Sequence, residues 1–84
     1  MADHPDRLRP PRTERDALRR AYLAFCTGAS VWPDDVDRLL RQRGIALSPN
    51  RLRELGRDSD RALPITAHEL WALLSAWADE QRRA

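Results

Sequence analysis

Apolar residues recur along this chain at helical rather than strand spacing. Leu18, Ala21, Tyr22 and Phe25 share one face and predict a helix that starts at Thr13 and stops near Cys26 to Gly28. Thr13 with Asp16 three residues on approximates a capping box. Val36, Leu39 and Leu40 mark the inner face of a second helix. Pro33 suits its first position, Asp34, Asp35 and Asp37 suit its positive dipole end, and Gly44 ends it. Ser48 and Pro49 open a third helix of about two turns. Its buried pair is Leu52 and Leu55, and Gly56 lies near its end.

The fourth helix carries the clearest pattern. Thr66 and Glu69 form a capping box. Leu70, Leu73, Leu74 and Trp77 then repeat at i, i+3, i+4 and i+7, and the helix is expected to fray in "DEQRRA". Leu63 and Ile65 complete the expected core ahead of it, while Ile45 and Leu47 plug the corner between helices two and three. No segment alternates as a strand does. The expected fold is all-α, a compact bundle of four helices with the third one short, over residues 13–84. Residues 1–12, with three prolines and little apolar content, are expected to form a flexible basic arm.

At 84 residues the chain is a single domain with a small core. No apolar run reaches the length of a membrane span, and no membrane partner is expected. The first eleven residues have no apolar centre, so a signal peptide is not expected. The lone Cys26 forms no internal disulfide framework and is expected as a small buried filler. A reducing cytoplasm is the expected compartment.

Charge sharpens one region. Fifteen arginines and no lysines face thirteen acids, for a net charge of +2, which is too small for the whole surface to read as a nucleic-acid footprint. Six arginines (38, 41, 43, 51, 53, 57) nonetheless fall between Arg38 and Arg57 with only Glu54 against them. The surrounding pattern, "RQRGIALSPNRLRELGRD", has the outline of a helix-turn-helix. Gly44, Leu39 and Ile45 occupy fitting positions. Arg43 and Leu40 do not, and the buried pair Leu52 and Leu55 falls two places late. The turn is longer than the usual three to four or so residues. A variant motif over residues 34–57 would read DNA through Arg51 and Arg53, flanked by Arg41, Arg43 and Arg57.

Other chemistry is sparse. His4, His68 and Cys26 show no metal-ligand spacing. No nucleophile–base pair or glycine-rich phosphate loop is present, and a domain this small has little room for a deep pocket. No enzymatic activity, cofactor, metal or small-molecule substrate is expected. Three tryptophans are many for this length. Trp77 belongs to the core stripe. Trp71 lies about 100° round the helix from Leu70, and Trp32 precedes helix two. Leu23 is placed opposite Leu18 and Phe25. Trp71, Trp32 and Leu23 are therefore candidate anchors for a protein partner or a second copy. The main expectation is a non-enzymatic interaction or adaptor domain, and the alternative is a small DNA-binding regulator.

From Glu14 onward the chain resembles one repeat unit of the YehS-like bacterial proteins of uncharacterised function. The matching segments are "LRR" in helix one, "GIALSPNRLRELGR" across the corner and "ITAHELWALLSAW" before the charged tail. The resemblance implies a bacterial helical domain. It implies no functional residue, because that family carries no established activity.

Overall fold

The computed structural model describes residues 10–57, 59 and 61–83. Four helices and no strand make up the described residues: α1 (Glu14–Ala29), α2 (Pro33–Gln42), α3 (Pro49–Leu55) and α4 (Ala67–Arg83). The expected all-α bundle is the fold. Most of the expected arm, residues 1–9, lies outside the described residues.

The caps explain where each helix begins. Thr13 Oγ1 accepts the Asp16 N–H at 3.0 Å. The return bond of the expected box is displaced by one residue, because Asp16 takes the Arg12 N–H at 3.3 Å. The Asp35 carboxylate accepts the Trp32 N–H at 3.0 Å, which supplies half a capping box ahead of Pro33. Ser48 Oγ accepts from Arg51 N–H at 3.1 Å. At α4 both arms form: Glu69 N–H to Thr66 Oγ1 at 3.0 Å and Thr66 N–H to Glu69 Oε1 at 2.8 Å.

Two ends differ from expectation. Helix α1 runs through Gly28 to Ala29, and the left-handed residue is Ser30, with φ 55°. Ser30 N–H returns to Thr27 and Val31 N–H to Cys26, a Schellman closure that tucks apolar Val31 into the core. Stopping at Gly28 would have left that valine outside the closure. Helix α2 closes the same way: Gly44, at φ 78°, bonds back to Arg41, and Ile45 bonds back to Leu40. Helix α4 does not fray in its last turn but continues to Arg83. Arg38 and Gln42 of α2 hold its Glu80, and Arg43 just beyond α2 holds Asp79, which stiffens the end.

The core centres on α2 and α4. Val36, Leu39, Leu40, Leu55, Ile65 and Leu73 are fully enclosed, with Tyr22 against them. Phe25 and Trp77 meet edge to face, with centroids 5.5 Å apart. Ile45, Leu47 and Leu52 are half-buried against this core, so the corner between α2 and α3 is plugged as expected.

Two expected core residues lie outside it. Leu74 is 39 % exposed, because α4 turns Ala72, Leu73 and Ala76 inward. The two alanines let α2 approach α4 closely, so the buried centre of α4 is rotated away from Leu74. Leu63 is 60 % exposed, and Ala62 is buried in its place. The cause is the backbone of this loop. Arg15 bonds to the Ala62 carbonyl at 2.8 Å. Arg51 bonds to the carbonyls of Leu63 and Pro64 at 3.1 and 3.0 Å. Glu54 accepts the Leu63 N–H at 3.0 Å. Satisfying these groups turns the Leu63 side chain outward.

Candidate docking surface

The arginine-rich stretch is engaged within the chain. Arg38 pairs with Glu80 and Asp35, and Arg41 with Asp37 at 3.1 Å. Arg43 donates to Ser75 at 3.1 Å and to Asp79 at 2.5 Å. Arg51 is 22 % exposed and meets Glu69 at 2.7 Å besides the two loop carbonyls. Arg53 bonds to the Asn50 side chain, and Arg57 pairs with Glu54 at 3.3 Å. Six residues, 43–48, separate α2 from α3. Arg51 is thus turned inward as a clamp, and Arg53 lies on the outer side of α3. The two do not project together.

The carboxylates record these contacts. The Gln42 amide and the Arg38 guanidinium hold Glu80 below its ordinary range. Arg43 and Arg82 do the same for Asp79. Burial works upward on Asp16, but the Arg12 N–H, Arg19 and Arg20 outweigh it. Burial raises the Cys26 thiol, offset in part by the Tyr22 hydroxyl that donates to it. Cys26 is half-buried, as expected of a filler. Among the described residues, no three His, Cys, Asp or Glu side chains gather as a metal site requires. No helix among them is long and apolar enough to cross a membrane.

Apolar side chains tell a different story. Trp71 is 59 % exposed and Trp32 is 70 % exposed. Leu23 is not on an open face. It is half-buried and packs against the core. The apolar arc of α1 runs from Phe25 through Leu18 and Tyr22 to Leu23, about 160° of the helix, wider than a single-neighbour stripe.

Trp71 belongs to a second stripe on α4. Ala67, Trp71, Leu74 and Ala78 follow one another at spacings of four, three and four residues, so they share a face. Helix α1 carries the same spacing at Ala17, Ala21, Ala24 and Gly28. The helices run parallel. Glu14 and Leu18 gather with Thr66 and Ala67 at one end. Phe25, Gly28 and Ala29 gather with Leu74, Trp77 and Ala78 at the other. The two stripes therefore lie side by side in register, 17 beside 67 and 28 beside 78. Between them opens a shallow apolar groove of about 430 Å³. Ala24 and Gly28 are exposed along its rim, and Ala21 is exposed one turn before them on the same stripe. Trp71 lies one turn before Leu74 on the same stripe, outside the groove itself, its ring stacked on His68 at 5.8 Å.

No protein-family model, curated protein or solved structure matches this chain.

The α1 half of this face was missed at the sequence level. Its signal was present as a run of small residues at heptad spacing, but alanine and glycine weigh little beside leucine in a periodicity pattern. The spacing of Leu74 with Leu70, Leu73 and Trp77 places it in the core, which breaks the outer stripe of α4 in two.

Proposed function

We propose that this chain is a small, non-enzymatic bacterial interaction domain of the cytoplasm, which docks a protein through the apolar face of α1 and α4. Trp71 is its principal anchor. The observation that carries this reading is that an indole 59 % exposed stands on a continuous uncharged face and not as an isolated surface residue. Tryptophan on such a face is the residue type most enriched among binding hot spots. Trp32, on the N-cap of α2, is a second exposed aromatic outside the stripe.

The alternative, a DNA-binding regulator, needs Arg51 and Arg53 on one open basic surface. Arg51 instead spends its donors on Glu69 and two loop carbonyls, and each of the six arginines from 38 to 57 has an acceptor in the chain. That favours the protein-docking reading.

The test is an affinity capture from the native host with nuclease treatment, using the natural chain and Trp71→Ala. Protein capture that survives nuclease and is lost in Trp71→Ala supports docking. A low-salt mobility shift that weakens steeply with added salt would favour the regulator.

A further inference from the structure

We propose that the occupant of the α1–α4 face is a second copy of this chain, related by a twofold axis that runs along the two helices; this rests on the docking reading above. Shape is the first argument. Level by level, the bulky position sits on α4 and the small one on α1: Leu74 beside Ala24 and Ala78 beside Gly28, and the same register sets Trp71 level with Ala21. A twofold axis along the helices lays each α4 stripe over the partner's α1 stripe. Trp71 then covers the partner's Ala21, and Leu74 covers the partner's Ala24. Nothing lies within 4 Å of the position a Gly28 Cβ would take, so the far end of the groove is open to a side chain from outside. A surface that carries both the knobs and their holes is the self-complementary kind that closed dimers use.

Charge agrees with the same axis. The stripes themselves hold no charged residue. Glu14 precedes the α1 stripe by three residues, and Arg82 follows the α4 stripe by four. Under this axis, Glu14 comes to the N-terminus of the partner's α4, where N–H groups favour an anion. Arg82 comes to the C-terminus of the partner's α1, where carbonyls favour a cation. Neither meets a like charge of the helix dipole.

Area sets the strength. Twelve residues of stripe span about 16 Å at a rise of 1.5 Å per residue, and two helices side by side are roughly 20 Å wide. That footprint belongs with the smaller interfaces, below about 1,200 Å² in total. The dimer is accordingly weak and depends on concentration. Its core is a parallel-paired four-helix arrangement with heptad seams.

Sedimentation equilibrium of the full chain, from low micromolar to millimolar, tests this. A monomer–dimer equilibrium is expected, and Ala24→Glu weakens it on the order of 30-fold, the size of a hot-spot loss. Ala24 is exposed, so Ala24→Glu keeps the helix content and melting temperature of the natural chain. A chain that stays monomeric at millimolar, or a dimer that Ala24→Glu leaves intact, overturns the proposal. The axis is read with cysteines in a Cys26→Ser background. Gly28→Cys and Ala78→Cys on separate chains, mixed and oxidised, join into a covalent dimer. Ala24→Cys alone joins copies only if α1 lies over α1, and that result overturns the axis. A benzophenone amino acid at position 74, used in host cells, separates the two readings. An adduct between two copies supports the dimer. An adduct with another protein alone overturns the dimer and leaves docking standing, and no adduct at all overturns both.

Discussion

Ser30 shows how a single residue can sit in the wrong chemistry for its position and still be fixed there. Its φ of 55° suits glycine, and a side chain in that region costs on the order of 1 kcal/mol. The Schellman bonds and buried Val31 hold it nonetheless. Ser30→Gly should therefore raise stability by about 0.5–1 kcal/mol, seen as a melting temperature higher by about 4 °C. A drop would show that the serine hydroxyl contributes more than the strain removes. Arg51 gives the opposite lesson about legibility. Its guanidinium bonds to backbone carbonyls twelve and thirteen residues away and to Glu69 eighteen residues away in sequence. Local spacing reveals Arg41 with Asp37 and Arg57 with Glu54, because helix neighbours three and four apart meet. It does not reveal Arg43 with Asp79 or Arg51 with Glu69, which exist only once α4 has packed. A basic stretch in the sequence thus became a set of internal tethers in the fold.

Among the elements, starts were legible and orientations were not. Caps are local, so Thr13, Ser48 and the Thr66–Glu69 box announce α1, α3 and α4 directly from residue type. Rotation about a helix axis is decided by what packs against it. Leucine and tryptophan suggested that α4 buries Leu74, whereas close approach of α2 selected Ala72 and Ala76. Ala76→Leu tests that rotation. With no exposed surface at Ala76, the added bulk should destabilise by about 1–3 kcal/mol in a denaturant titration. If it stabilised the chain, α2 and α4 would not be in close contact there. Helix α3 spans only seven residues, too few to persist alone in water. It is held by Ser48, by Leu55 in the core and by the Arg51 clamp, so its sequence signal was its cap more than its apolar period.

For the whole molecule, stability against pH follows from the tethers. Hydrogen bonds and nearby arginines depress Asp16, Asp35, Glu54, Asp79 and Glu80. A group depressed in the folded chain stabilises it above its unfolded pKa. That contribution disappears as the pH falls through the lowered value. Stability should be flat near neutrality and decline as the pH drops below the ordinary carboxylate values of 3.8 and 4.5. Burial raises the Tyr22 hydroxyl, which has the reverse sense: stability is complete below its ordinary value of 10.0 and is lost at higher pH. Thermal melts across this range check both limbs. A chain that melted at the same temperature at pH 3 and pH 7 would mean that the ion pairs contribute nothing to folding.

The two Schellman closures also bear on how this protein opens. Terminal helical turns ordinarily fray, and their amide protons exchange with solvent long before the core unfolds. Here the last bonded amides of α1 and α2 belong to Val31 and Ile45, whose own side chains lie against the core. Neither bond can open without drawing an apolar side chain into water. Deuterium uptake at Val31 and Ile45 should therefore be as slow as at mid-helix amides. The links at 30–32 and 43–48 then act as hinges that release only with global unfolding, and α1, α2 and α3 exchange as one cooperative unit.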